Sequence, residues 1–179
     1  MMLKDIPLES TPPETGMLIY AKVREITGVL DPYKEIKRES TEDALAMYPL
    51  MKNIIARSKD NLLTGIRMAI AGNIIDLGVN QHINIRAEID QVLKQEFAIY
   101  DYDQFKGYLN KVDEILYLGD NAGEAVFDRI LIEEMKKPVI YVAREIPVVN
   151  DVTYEDAVQA GIEKVARIIS SGTSAQGLF

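Results

Sequence analysis

The sequence predicts an α/β fold, a three-layer α/β/α arrangement around a parallel sheet, with a helical N-terminal part. Two observations predict it. Up to about residue 95 the apolar residues recur at helical intervals. Beyond it, short aliphatic runs ("FAIY", "EILYLG", "PVIYVA", "KVARIISSG") are separated by helix-like segments. The runs do not alternate polar with apolar, which suits strands buried on both faces of a parallel sheet. Strand, helix, strand in succession makes right-handed βαβ units. The expected organisation is therefore one structural domain, with a helical part over 1–95 packing on a Rossmann-like βα core over 96–179.

Each element has its own signal. "PPETGMLIYAKVREITG" opens on Pro12 and Pro13 and stops at Gly28, which marks a helix start and a C-cap. "DPYKEIKRE" reads as a short helix or turn. "STEDALAMYPLMKNIIARS" begins a new helix at a Ser40/Thr41 cap with acids in its first turn, and Pro49 is expected to divide it. "DNLLTGIRMAIAGNIIDLG" and "RAEIDQVLKQEF" each read as a further helix. In the second half "DQFKGYLNKV", "GEAVFDRILIEEMKK" and "TYEDAVQAG" supply the helices between the strands.

Composition sets the bounds. With 179 residues, 47% of them hydrophobic, the chain can bury a sizeable core. No apolar run reaches the ~20 residues of a membrane helix. The segment "MMLKDIPLESTPPE" lacks a secretory apolar block, so a cytoplasmic protein is expected. The net charge of −8 argues against a nucleic-acid partner, which needs a basic face. The absence of cysteine excludes thiolate metal sites and cysteine nucleophiles. The single histidine, His82, leaves little room for a Ser/His/Asp set and reads as a surface or loop residue.

Candidate chemistry lies where strands end. In open parallel sheets, ligands bind beyond the carboxyl ends of the strands. Asp120 follows "ILYLG" and Asp151 follows "IPVVN", about one βα repeat apart, so adjacent strands would bring both to one rim. Alone, either aspartate could equally be a helix N-cap. Together with Asn121 they offer oxygen donors only, which suits Mg²⁺ or Mn²⁺ better than Zn²⁺. Gly123 permits close backbone approach, and the helix that follows would aim N–H groups at an anion. Asn73 and Asp76, three residues apart in "AGNIIDLG", share a helix face and serve as pocket residues or as a solvated helix end. The terminal "SSGTSAQG" is either an anion-cradling loop or a tail.

The stretches "GNIIDLG", "DYDQF", "YLGDNAGEAVFDRILIEEM" and "VVNDVTYEDA", in this order, closely resemble the DUF89 family of metal-dependent damage-control phosphatases, in its archaeal and bacterial branch. The resemblance implies a Rossmann-like core and hydrolysis of sugar phosphates or related phosphometabolites with a divalent cation such as Mg²⁺, Mn²⁺, Co²⁺ or Ni²⁺. It implies metal ligation by Asp120, Asn121 and Asp151, the two aspartates being the catalytic residues. Asn73 and Asp76 would line the phosphate or metal pocket, and Glu124, Asn150 and Arg144 would contact substrate or support the ligands. The family's N-terminal cysteine pair and C-terminal lysine- and glycine-containing segment have no counterpart here, so the resemblance implies a core without both ends. Such a core has an alternative role: binding metal or a phosphate ligand, or assembling with other chains as a homo-oligomer, without turnover. A second enzyme alternative takes "FAIYDYD" as the strand-then-DxD opening of a haloacid-dehalogenase-like phosphatase, with Asp101 as nucleophile.

Overall fold

The computed structural model describes residues 9–74 and 85–173. Its elements run α1 (Pro12–Thr27), α2 (Lys34–Ala56), α3 (Asn61–Ile74), α4 (Ile85–Lys94), α5 (Tyr102–Leu109), β1 (Ile115–Leu118), α6 (Ala125–Met135), β2 (Val139–Ala143), α7 (Tyr154–Ala160) and β3 (Arg167–Ser170). The strands form one parallel sheet in the order β1-β2-β3, so the α/β class is as predicted. Tyr117 sits beside Tyr141, and Tyr141 beside Ile168, which puts equivalent residues of the three strands in rows. Among the described residues, no helix is long and apolar enough to cross a membrane.

Helix α1 starts on a Thr11/Glu14 capping box and ends on Gly28 in the left-handed conformation, where the absence of a Cβ removes the steric cost. Two expectations for the next segment fail. The predicted short helix and the predicted Ser40/Thr41 helix are one 23-residue helix, α2. Ser40 and Thr41 are buried in its interior, and Thr41 Oγ1 donates to the Lys37 carbonyl rather than capping a helix start. Pro49 lies inside α2 without ending it. That residue is on the exposed side, where water can solvate the carbonyl its ring displaces, while Ala44, Met51 and Ile55 hold the buried stripe together.

"FAIY" is also not a strand. Ile99 and Tyr100 stand exposed between α4 and α5, and the segment is fastened by its rings, with Phe97 under the Arg67 guanidinium and Tyr100 against Tyr102. Without a strand ahead of Asp101, the strand-then-DxD layout of the haloacid-dehalogenase alternative is absent. Asp101 instead precedes α5.

Helices α3 and α6 pack closely, and Gly72 makes this possible: a Cβ there would lie 2.7 Å from Phe127. The core comprises α6, the inward residues of β1 and β2, and the apolar faces of α2, α3, α4 and α7. The expectation of strands buried on both faces holds only in part. On β1, half-buried residues alternate with exposed Leu116 and Leu118. Of the sequence candidates, Asp76, His82 and residues 174–179 lie outside the described residues.

Candidate functional site

Strand β1 ends at Leu118, and the chain leaves the sheet through Gly119 and Asp120. Strand β2 ends at Ala143 and is followed by a longer loop to Thr153, the N-cap of α7. These two loops are stitched together. Asn121 and Asp151 form an isolated antiparallel bridge. The Ala122 N–H donates to the Asn150 carbonyl at 2.9 Å, and the Val152 N–H to the Asp120 carbonyl at 2.7 Å. Below them, the Gly119 N–H donates to the Val142 carbonyl and the Arg144 N–H to the Val152 carbonyl. The aspartates meet because β1 and β2 are adjacent and parallel.

The Asp151 turn carries strain. Its N–H closes onto the Val148 carbonyl at 3.0 Å, and Val149 within that turn has φ 47°. Left-handed backbone is costly for a β-branched residue, on the order of 1–3 kcal/mol, and such strain clusters at functional sites. From outside, Arg24 of α1 donates to the Pro147 carbonyl at 3.1 Å and holds the turn down. At the far end, Thr153 and Asp156 form a capping box on α7, and Asp156 also receives the buried Lys37 ammonium at 2.6 Å.

The predicted side chains occupy distinct positions around this junction. Asp120 is exposed at the rim and Asp151 is buried. Asp151 Oδ2 accepts from Arg144 Nε at 2.8 Å, so the arginine expected to meet a phosphate already supports an acid at this edge. Glu124 Oε2 lies 3.4 Å from both Asn121 Nδ2 and Asn73 Nδ2, which brings the α3 residue to the same group. Asn150 contributes its backbone carbonyl to the stitching. One expectation is corrected in part. The N–H groups of Ala125 and Val126, at the start of α6, turn back onto the Asn121 and Gly123 carbonyls and are spent within the turn.

Electrostatics follow from crowding of acids. Burial, reinforced by the Asp120 charge, raises the Glu124 carboxyl above its ordinary range. Burial also raises Asp151; Arg144 opposes the rise, Asp120 adds to it, and Lys37 counters it more weakly. Carboxylates that raise one another's pKa gain from a neighbouring positive charge, and oxygen donors suit a hard cation. Among the described residues no three acid, histidine or cysteine side chains converge as a metal-holding group, and what the two joined loops bring to this edge is Asp120, Asn121 and Asp151.

Sequence reasoning missed Asp128. It is wholly buried on α6, one turn below Glu124, and accepts hydrogen bonds from Tyr117 Oη at 2.5 Å and Tyr141 Oη at 2.8 Å. The available signal was an acid among apolar residues on one face, with Leu131 and Ile132 three and four positions on. Lys37 carried a similar signal, in line with Thr41 and Ala44. Burial pushes the Asp128 carboxyl up to about 7, the two phenols oppose the rise, and the charges of Glu124 and Asp120 add to it. The folded protein thus holds this proton more tightly than the unfolded chain, whose value is near 3.8. The stability this provides is full below that lower value and is lost as pH rises through about 7. Thermal melts should therefore fall between pH 5 and pH 8, and the Asp128→Asn variant should flatten that decline.

The chain is similar to known proteins over most of its length. The family model described as the damage-control phosphatase ARMT1-like domain matches residues 1–179. A damage-control phosphatase of Pyrococcus horikoshii is 32% identical over 99% of this chain, and one of Archaeoglobus fulgidus is 35% identical over 90%. The chain spans 63% and 58% of the lengths of those curated relatives. The crystal structure of a DUF89 family protein from Pyrococcus horikoshii superposes with a TM-score of 0.78 at 32% identity, covering 89% of this chain and 56% of that one.

Proposed function

This chain belongs to the damage-control phosphatase ARMT1-like family, and from that premise we propose that it is a metal-dependent phosphatase acting on small phosphometabolites such as sugar phosphates. The observation that carries the proposal is the Asn121–Asp151 bridge, which sets the two strand-end loops side by side. Asp120, Asn121 and Asp151 would hold the cation, Mg²⁺, Mn²⁺, Co²⁺ or Ni²⁺. When bound, such a cation supplies charge neutralisation for phosphoryl oxygens.

The chain's own residues prepare the site. Glu124 accepts from the amides of Asn121 and Asn73, which leaves each amide oxygen as the available donor atom. Arg144 holds Asp151 against the repulsion of Asp120 and provides positive charge beside the rim. Exposed Asp120 is the carboxylate most open to substrate. The test is phosphate release from a panel of sugar phosphates with each cation, for the natural protein and Asp120→Ala. Release that depends on the cation and is lost in the variant is expected, and equal release from both would refute the assignment.

A specific observation favours a second reading, self-association. Leu116 and Leu118 are 62% and 57% exposed, and they lie in register with Ile140 and Val142 on the same sheet face. An apolar patch of this kind suits contact with a second copy. Mass in solution tests it: a dimer or larger species is expected, and a clean monomer at high concentration contradicts it.

A further inference from the structure

The feature that the proposed chemistry leaves unused is the buried carboxylate of Asp128. Both of its oxygens are occupied, one by each phenol, and neither partner is a cation. An ionisable group without a countercharge is an expensive way to fill a core, and a well-packed apolar residue would cost less. What the carboxylate achieves is geometric. The Tyr117 and Tyr141 rings are stacked, with centroids 5.6 Å apart and planes 14° from parallel. One carboxylate pins both hydroxyls, so neither ring can slide along the sheet.

The pinned Tyr141 hydroxyl lies directly against Gly119. A Cβ at position 119 would be 2.4 Å from that oxygen, so the backbone rests on it without intervening atoms. Gly119 is the residue immediately before Asp120. Above it, Asp120, Ala122 and Val152 carry the hydrogen bonds that join the two loops. The N-cap and first turn of α6 thus present two acids in tandem, Glu124 and Asp128, one turn apart. Glu124 holds the Asn121 amide of the loop from the side, and Asp128 holds the phenol on which the loop stands.

We infer that Asp128 is a positioning residue for the site: through the Tyr141 hydroxyl it sets the height at which Gly119 and Asp120 leave the sheet. The inference rests on the reading of Asp120 as a working group of the site, and it deepens that reading by naming what orients it.

Amide hydrogen exchange tests it without requiring activity or metal. The variants are Tyr141→Phe and Asp128→Asn, with Met51→Ala, which hollows the helical core, as a globally destabilised control. In both test variants the amides of Gly119, Ala122 and Val152 should exchange about tenfold faster relative to those of α2 and α3 in the same protein. In the control, all amides should accelerate together. If Asp128→Asn does not fold, Tyr141→Phe decides. Loop amides that keep pace with the helices in the test variants overturn the inference. Phosphate release measured on the same samples should show kcat reduced about tenfold or more with KM unchanged. A natural protein that releases no phosphate removes the proposed function, while the exchange result still decides the positioning role.

Discussion

Asp120→Ala is expected to lower phosphate release roughly 10²- to 10³-fold while leaving the fold intact. The two halves of this prediction have separate physical origins. The Asp120 side chain is exposed, and its structural contribution is made through the backbone, whose carbonyl accepts the Val152 N–H at 2.7 Å. Alanine keeps that hydrogen bond, so the stability change should stay within about 0.5 kcal/mol, as at other surface positions. The loss is chemical. Asp120 raises the carboxyls of Glu124 and Asp151, so its removal makes both more acidic and takes away charge that would attract a cation. Circular dichroism and thermal melts alongside the phosphate assay separate the two effects. A variant that melts like the natural protein and has lost turnover is the expected outcome.

Gly119→Ala is expected to act in the opposite way, through the fold first. The added methyl would lie 2.4 Å from Tyr141 Oη and 2.5 Å from the ring carbons Cε1 and Cζ. None of these atoms can yield easily. Tyr141 is fully buried on the central strand, stacked on Tyr117 and held by Asp128. The glycine cannot retreat either, since its N–H is bonded to the Val142 carbonyl. Overpacking of this kind costs about 1–3 kcal/mol, and the rigidity on both sides places the change at the upper end. For a chain of this size the melting temperature should drop by roughly 6–12 °C. Gly107 gives a matched contrast. It lies within α5, and a Cβ added there would meet nothing within 4 Å, so Gly107→Ala should stabilise by about 0.5–1 kcal/mol. Equal effects at both positions would contradict the role given to the Tyr141 contact.

Much of the site was legible because its signals are local. An apolar run broken by Gly119, Asp120 and Asn121 announces a strand end, and the spacing to Asp151 matches adjacent parallel strands. The helix limits at Pro12, Gly28, Thr153 and Gly161 were marked by residues whose backbone preferences act at short range. The misreadings share one cause. Ser40, Thr41 and Pro49 carry local signs of a boundary, but burial of the α2 stripe outweighed them. "FAIY" has the composition of a strand but, among the described residues, no strand beside it to pair with, and an apolar run cannot reveal that. Asp128 was passed over because its role depends on Tyr141, which reaches it from a neighbouring strand. Asn73 could be tied to Glu124 only once the α3–α6 packing at Gly72 was known.

The most direct test of the central claim is Mn²⁺ binding measured by isothermal titration, on the natural protein and on Asp120→Ala and Asp151→Ala. A single site is expected in the natural protein, lost or severely weakened in each variant, with both variants still folded. Unchanged isotherms in the two variants would place the cation elsewhere and contradict the assignment of these aspartates.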